Sequence, residues 1–181
     1  MNYRRGYTIV TREKVAPRAY ETARNRHCGV TSGGWDIIIN NSSLIMSLYQ
    51  DILASFKKWT GKQVDFDWQY ANQCVDWVKQ YATDIKYPIT TKWNAKDFVK
   101  GLWNNWVKVP EWQVGDIVIF PSGTYWHIAV VVDIVWSVIC VNEQNRDWKA
   151  FSKNNPKNKG TPVSYWKYTI KWNEVFFRPM K

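Results

Sequence analysis

Gly115-Asp116-Ile117-Val118-Ile119-Phe120-Pro121-Ser122-Gly123-Thr124-Tyr125-Trp126-His127-Ile128-Ala129-Val130-Val131-Val132-Asp133-Ile134-Val135 sets the architecture. Two branched apolar segments, Asp116 to Phe120 and His127 to Val135, flank the turn signature Pro121-Ser122-Gly123. Short runs of β-branched and aromatic residues bounded by turn formers are strands. The texture continues downstream. Trp136-Ser137 is a second turn, followed by strands at Val138 to Val141, Tyr165 to Trp172 and Val175 to Phe177, with a polar loop at Lys153 to Pro162.

Upstream the period changes. Asn41-Ser42-Ser43 caps a helix whose apolar positions Leu44, Ile45, Leu48, Ile52, Leu53 and Phe56 recur at helical spacing, and Gly61 stops it. A second helix is expected to start near Tyr70 and to carry Cys74, Val75, Trp77, Val78 and Tyr81 on one face, ending before Pro88. Asn94 with Asp97 begins a third, turning Phe98, Val99 and Leu102 inward. Helices first and an antiparallel sheet afterwards is the α+β pattern, with N-terminal helices packed on a twisted antiparallel β-sheet.

Residues 1–40 differ from the rest. They hold seven Lys or Arg (Arg4, Arg5, Arg12, Lys14, Arg18, Arg24, Arg26) against Glu13, Glu21 and Asp36, with little periodicity. They read as a basic arm, with Ile37-Ile38-Ile39 as a short strand, preceding a domain over 41–181. The arm either docks on a partner or polyanion or straps over the domain. The whole chain, with 25 Lys and Arg against 15 Asp and Glu, carries a formal +10. Such a surface concentrates polyanions, be they nucleic acid, phosphate-rich wall polymers or anionic membranes. Aromatic residues are abundant (13 Trp, 10 Tyr, 7 Phe), so some rings must reach the surface.

Several classes fall away. Three cysteines with no close pair (Cys28, Cys74, Cys140) argue against a disulfide framework and a Cys-x-x-Cys metal site. Cys140 reads as a buried filler. No segment approaches the ~20 apolar residues that span a bilayer. No apolar run follows the basic start Met1-Asn2-Tyr3-Arg4-Arg5, so the expectation is synthesis in a cytosol without a signal peptide.

Three polar residues each open or close an apolar segment: Cys74, His127 and Glu143. A thiolate is a strong nucleophile, and the first turn of a helix favours an anion through its unpaired N–H groups. A neighbouring imidazole takes the thiol proton and returns it to a leaving amine. The imidazole needs an acceptor on its other nitrogen, which Glu143 or Asn145 can supply from the next strand. Trp126, beside the histidine, is the aromatic best placed to touch a substrate, while Trp103-Asn104-Asn105-Trp106 and Trp112 are groove candidates. His27-Cys28 is a second thiol–imidazole neighbour pair, but it lies outside any recognisable element. Asp65 and Asp67 alternate on an irregular segment upstream of Cys74, and Asp76 lies two residues past it; carboxylates so placed can converge on a hard cation such as calcium. The plainer reading is that Asp65 and Asp67 only precede and cap a helix.

Taken together, Gln73-Cys74-Val75-Asp76-Trp77, then Gly115-Asp116-Ile117-Val118 with His127-Ile128-Ala129-Val130-Val131, then Val141-Asn142-Glu143-Gln144-Asn145 resemble the CHAP domain in order and spacing. This is the cysteine- and histidine-dependent amidohydrolase/peptidase family, papain-like in fold and found in phage lysins and bacterial wall hydrolases. The resemblance covers about residues 60 to 150. It implies Cys74 as nucleophile, His127 as base, Glu143 and Asn145 as the orienting pair, and Gln73 beside the Cys74 N–H as oxyanion donor. It also implies an amide of bacterial peptidoglycan as substrate, cut by an endopeptidase or an N-acetylmuramoyl-L-alanine amidase. Some lysin-type members bind calcium through an acidic run before the nucleophile, and Asp65, Asp67 and Asp76 fall where those ligands would be. The expected setting is an endolysin or a virion or tail component, with the basic arm meeting other virion proteins. Two rivals remain: a non-enzymatic basic, aromatic module on nucleic acid or wall polymer, and a papain-like protease acting on a protein. Nucleic acid is the less favoured partner.

Overall fold

The computed structural model describes residues 42–68, 72–90, 94–100, 105–146 and 160–180. The basic arm at 1–40, with Ile37-Ile38-Ile39 and His27-Cys28, therefore lies outside the described residues. So do Asn41, Tyr70, Leu102, Trp103 and most of the polar loop.

Helix α1 spans Ser42–Trp59 and ends where Gly61 takes φ +83°, a left-handed conformation that only glycine adopts without strain. Helix α2 spans Cys74–Asp84. It begins four residues later than the apolar spacing suggested. Gln73 is extended (φ −87°, ψ 162°), and its N–H donates to Asp76 Oδ2 at 2.8 Å, which closes the helix start at that point. Cys74 is thereby the first helical residue. The third expected helix is a five-residue 3₁₀ turn, Ala95–Val99, closed by Asp97 N–H to Asn94 O at 2.9 Å and Lys100 N–H to Asp97 O at 3.1 Å. Phe98 is buried there as expected.

The two α-helices are tied by one carboxylate. Asp84 Oδ2 accepts from Ser55 Oγ at 2.9 Å and from Trp59 Nε1 at 2.7 Å, and Gln80 Nε2 donates to its other oxygen at 3.0 Å. Phe56 and Tyr81 stack across the same seam, 5.6 Å between ring centres.

Six strands form one antiparallel sheet: β1 Trp106–Val109, β2 Ile117–Phe120, β3 His127–Val135, β4 Val138–Glu143, β5 Ser164–Thr169 and β6 Val175–Pro179. Their spatial order is β1-β6-β2-β3-β4-β5. Five of these match the apolar runs read from sequence, β3 at both ends and the others to within three residues. The edge strand β1 does not. At four residues it is too short for alternation to show, and its tryptophan looked like part of a surface stretch. Trp106 is in fact buried and donates from Nε1 to Tyr87 O at 3.0 Å.

Central strands β2 and β3 are apolar on both faces because both faces are covered. On one side Ile117, Ile119, Ile128 and Val130 meet Trp77, Val78, Tyr81 and Phe56 of the helices. On the other, Val118, Phe120, Ala129, Val131 and Phe176 form a second cluster with Trp112 and Tyr168 packed on it. Trp112 is thus a packing residue, in edge contact with Trp172 at 5.6 Å, and no part of a groove beside Cys74. Trp77 is core, as expected, with Nε1 donating to Asn142 O at 2.9 Å. Cys140 is buried in β4, as expected, and Cys74 is a free cysteine.

Gly115 opens the β2 segment at φ +92°, and a Cβ there would stand 2.7 Å from Ile52 Cδ1. The glycine lets α1 press on the strand entry, where Tyr81 Oη also donates to Gly115 O at 2.8 Å. Among the described residues, no helix is long and apolar enough to cross a membrane.

Candidate active site

Sheet register does the first half of the assembly. Val130 pairs with Asn142, so Glu143 and His127 project from the same face of neighbouring strands, one diagonal step apart. There Glu143 Oε2 lies 2.6 Å from His127 Nε2. Both side chains are sealed: Glu143 is 0% and His127 5% exposed. Phe120, opposite His127 in the β2–β3 pair, lays its ring on the imidazole at 6.1 Å between centres.

Helix α2 supplies the second half. Its first residue, Cys74, comes to the start of β3, close enough to the imidazole to influence its protonation. With Nε2 taken by Glu143, Nδ1 is the ring nitrogen left for proton exchange with sulfur. Burial disfavours the charged ring, but the hydrogen bonds and charges of Cys74 and Glu143 outweigh it. Together they push the His127 pKa from 6.5 up to about 10. The ring is therefore an imidazolium at neutral pH. A cation beside the sulfur, at a helix N-terminus, is the setting in which a thiolate forms.

Asn145 is turned to Gln73: its Nδ2 donates to Gln73 Oε1 at 3.0 Å, which directs the other end of the Gln73 amide, a donor, away from Asn145. Asn145 does so from a left-handed backbone, φ 56°, a conformation asparagine tolerates better than most residues. The two members of the expected orienting pair thus serve different neighbours. Glu143 holds the imidazole and Asn145 the glutamine. Trp126 also has positive φ, 62°, and packs half-buried against the helix-side core, with only part of its surface left for a ligand.

Three further residues belong to the site and were not legible beforehand. Gln144, fully buried, clamps the segment leading into Cys74. Its Oε1 accepts from Val64 N–H at 2.7 Å, while its Nε2 donates to Val64 O at 2.7 Å and Gln73 O at 2.9 Å. Tyr168 and Arg146 surround Glu143, with the phenol oxygen 2.8 Å from Oε2 and Arg146 Nε 3.5 Å from Oε1. Tyr168 is separated from the motif residues by a strand crossing that only the register reveals, while Arg146 directly follows the motif. A cavity of about 350 Å³ opens beside His127, walled by Phe120, Ser122, Arg146, Tyr168, Lys171 and Glu174 among others.

The acidic residues also come together. Asp65, Asp67 and Asp76 each offer an oxygen, all within 4.8 Å of one another. Asp76 is pushed up to about 7, chiefly by burial and further by Asp67 and Asp65, against the Gln73 N–H and Lys79. Lys79 Nζ, itself buried, lies 3.2 Å from Asp67 Oδ2. Asp65 Oδ1 is buried with no hydrogen-bond partner. Three carboxylates against one ammonium, with an orphaned oxygen, fit a hard divalent cation.

Comparison with known proteins bears on the fold and the family match. Residues 64–145 match the model of the CHAP domain. Among solved structures the chain is similar to the wild-type endolysin LysIME-EF1, with a TM-score of 0.56 and 20% identity over 73% of this chain and 63% of that one. It is also similar to Ly7917, solved with the hydrolyzing product of MDP, with a TM-score of 0.50 and 16% identity over 72% and 62%. At such identities the likeness establishes the fold, which is α+β and papain-like. The chain spans less than two thirds of either structure's length. No curated protein matches it.

Proposed function

We propose, from the premise that residues 64–145 are a CHAP domain, that this chain hydrolyses an amide bond of bacterial peptidoglycan by cysteine nucleophilic catalysis. The observation that carries the reading is the buried relay from Cys74 through His127 to Glu143, which combines nucleophile, proton carrier and orienting anion. In this mechanism Cys74 Sγ, as thiolate, attacks the amide carbonyl carbon. The oxyanion faces the Cys74 N–H at the start of α2 and the Gln73 amide, each such donor being worth ~3 kcal/mol. His127 gives its proton to the departing amine nitrogen as the C–N bond breaks, leaving a thioester. The neutral ring then takes a proton from water, whose oxygen attacks the thioester and frees the thiolate.

The finer reading is an endopeptidase or N-acetylmuramoyl-L-alanine amidase acting at the cell wall, as a released endolysin or as part of a virion. The likeness to LysIME-EF1 supports the first setting. Mass spectrometry of purified peptidoglycan digested by the protein tests both the reaction and the bond. New peptide amines without freed lactyl ends mean an endopeptidase, and separated glycan and stem peptide mean an amidase. Intact peptidoglycan beside a cleaved protein substrate would replace this reading with that of a protein-directed protease.

Calcium is the second part of the proposal. Asp65, Asp67 and Asp76 would hold it, and the ion would supply charge that fixes the segment entering α2. The expected outcome is a melting temperature raised by several degrees in millimolar calcium chloride and restored by chelator, since an ion that binds only the folded state stabilises it. Asp65→Asn should abolish the rise. A melting curve indifferent to both calcium and chelator removes the ion from the account.

A further inference from the structure

Glu143 is a long side chain asked to hold one position. It has three torsions, is fully buried and so has no bulk water to lean on, and its task tolerates little movement. One of its oxygens, Oε2, already serves the imidazole at 2.6 Å. Something else must set its rotamer.

We propose that Tyr168 is the positioning residue of the site: its phenol, on β5, fixes the carboxylate of Glu143 in the orientation that holds His127 Nε2. The inference rests on reading Cys74 and His127 as the reacting pair. The Tyr168 phenol lies 2.8 Å from Oε2 and 3.1 Å from Oε1, so its single proton is shared across the carboxylate and favours the oxygen that also faces the ring. A carboxylate oxygen has two lone pairs, and phenol and imidazole therefore do not compete. The phenol is itself locked, its ring 4.4 Å from Phe120, which in turn stacks on His127. Phe120, His127, Glu143 and Tyr168 thus close a loop of four contacts around one carboxylate.

Arg146 does not duplicate this role. Its Nε lies 3.5 Å from Glu143 Oε1, its side chain is 38% exposed, and its guanidinium carbon sits over Trp166, 3.5 Å from the ring centre. It contributes charge from the rim, while Tyr168 contributes direction from inside. Burial, with Glu143 beside it, raises the phenol well above its ordinary pKa, so it stays a donor throughout the range in which the enzyme would work.

The test is Tyr168→Phe in the full chain, which keeps the ring on Phe120 and removes only the hydroxyl. Two readouts need no wall substrate. One is the His127 titration, followed by NMR of histidine-labelled protein and assigned by loss of its signal in His127→Ala. The other is the pH dependence of Cys74 alkylation by iodoacetamide, read at Cys74 by mass spectrometry. A released Glu143 holds the imidazolium less well, so the midpoint should fall by about one unit or more, the scale of a lost hydrogen bond to a charged group. The alkylation profile should shift with it, and peptidoglycan turnover should lose about tenfold in kcat with KM unchanged. An unmoved midpoint and an unmoved alkylation profile in a folded variant would reduce the phenol to packing and overturn the proposal. If both shift while wild-type protein leaves peptidoglycan intact, the positioning role stands and the substrate assignment fails.

Discussion

Replacing Cys74 by alanine is expected to bring peptidoglycan hydrolysis down to background, a loss of at least ~10⁴-fold, with the fold retained. Cys74 is 7% exposed and small, so alanine removes little packing. Its N–H still starts α2, and Gln73 still closes the helix through Asp76. What disappears is the only atom in the site able to form the thioester. The variant has a second signature. Cys74 is foremost among the groups that raise the His127 pKa, so the His127 titration should move down even though ring, strand and carboxylate remain. Turbidity clearing of purified walls gives the first readout and histidine NMR the second. Residual hydrolysis above a tenth of wild type would show that the sulfur is not the nucleophile.

Glu143→Gln is the next largest. The amide is isosteric, but it carries no charge and cannot reproduce the acceptor pair that meets imidazole and phenol together. A loss of about 10²- to 10⁴-fold in kcat is expected, the range in which positioned proton transfer contributes. The pH profile should change in a defined direction. His127 is held up to about 10, so in the folded protein the imidazolium persists until alkaline pH and turnover falls as pH rises through that value. The same elevation is a stability contribution: complete below the ring's ordinary 6.5, lost as pH climbs through about 10. Without the carboxylate, the alkaline limb and the thermal stability between those limits should both retreat toward neutral pH. Thermal melts at pH 6, 8 and 10, run beside rate profiles, check both. An alkaline limb left in place would mean that another group holds the ring.

Much of this was visible in the residues themselves. Branched runs at 117–120 and 127–135 became β2 and β3, and the Cys74, His127 and Glu143 neighbourhoods met, though buried rather than at an exposed rim. Those signals are local, so a chain read one window at a time exposes them. The start of α2 was misjudged because apolar spacing extends past the true cap, and the cap is decided by one backbone bond to Asp76. Trp106 was misplaced because a four-residue edge strand has no period to detect. Tyr168 was unreadable for a different reason. Its role depends on which strand lies beside which, and no short motif contains that information. Gln144 and Arg146 stand in and beside the quoted motif, where nothing local names their partners.

The sealing of Glu143 separates two kinds of electrostatics in one molecule. Mobile ions screen the many lysines and arginines of the +10 surface over roughly 10 Å at 0.1 M salt, but they do not reach a carboxylate with no exposed area. Raising the ionic strength would therefore loosen the protein's hold on an anionic wall while leaving the proton affinity of its imidazole where it was. Attachment and chemistry in this chain answer to different properties of the medium, and brine addresses only the first.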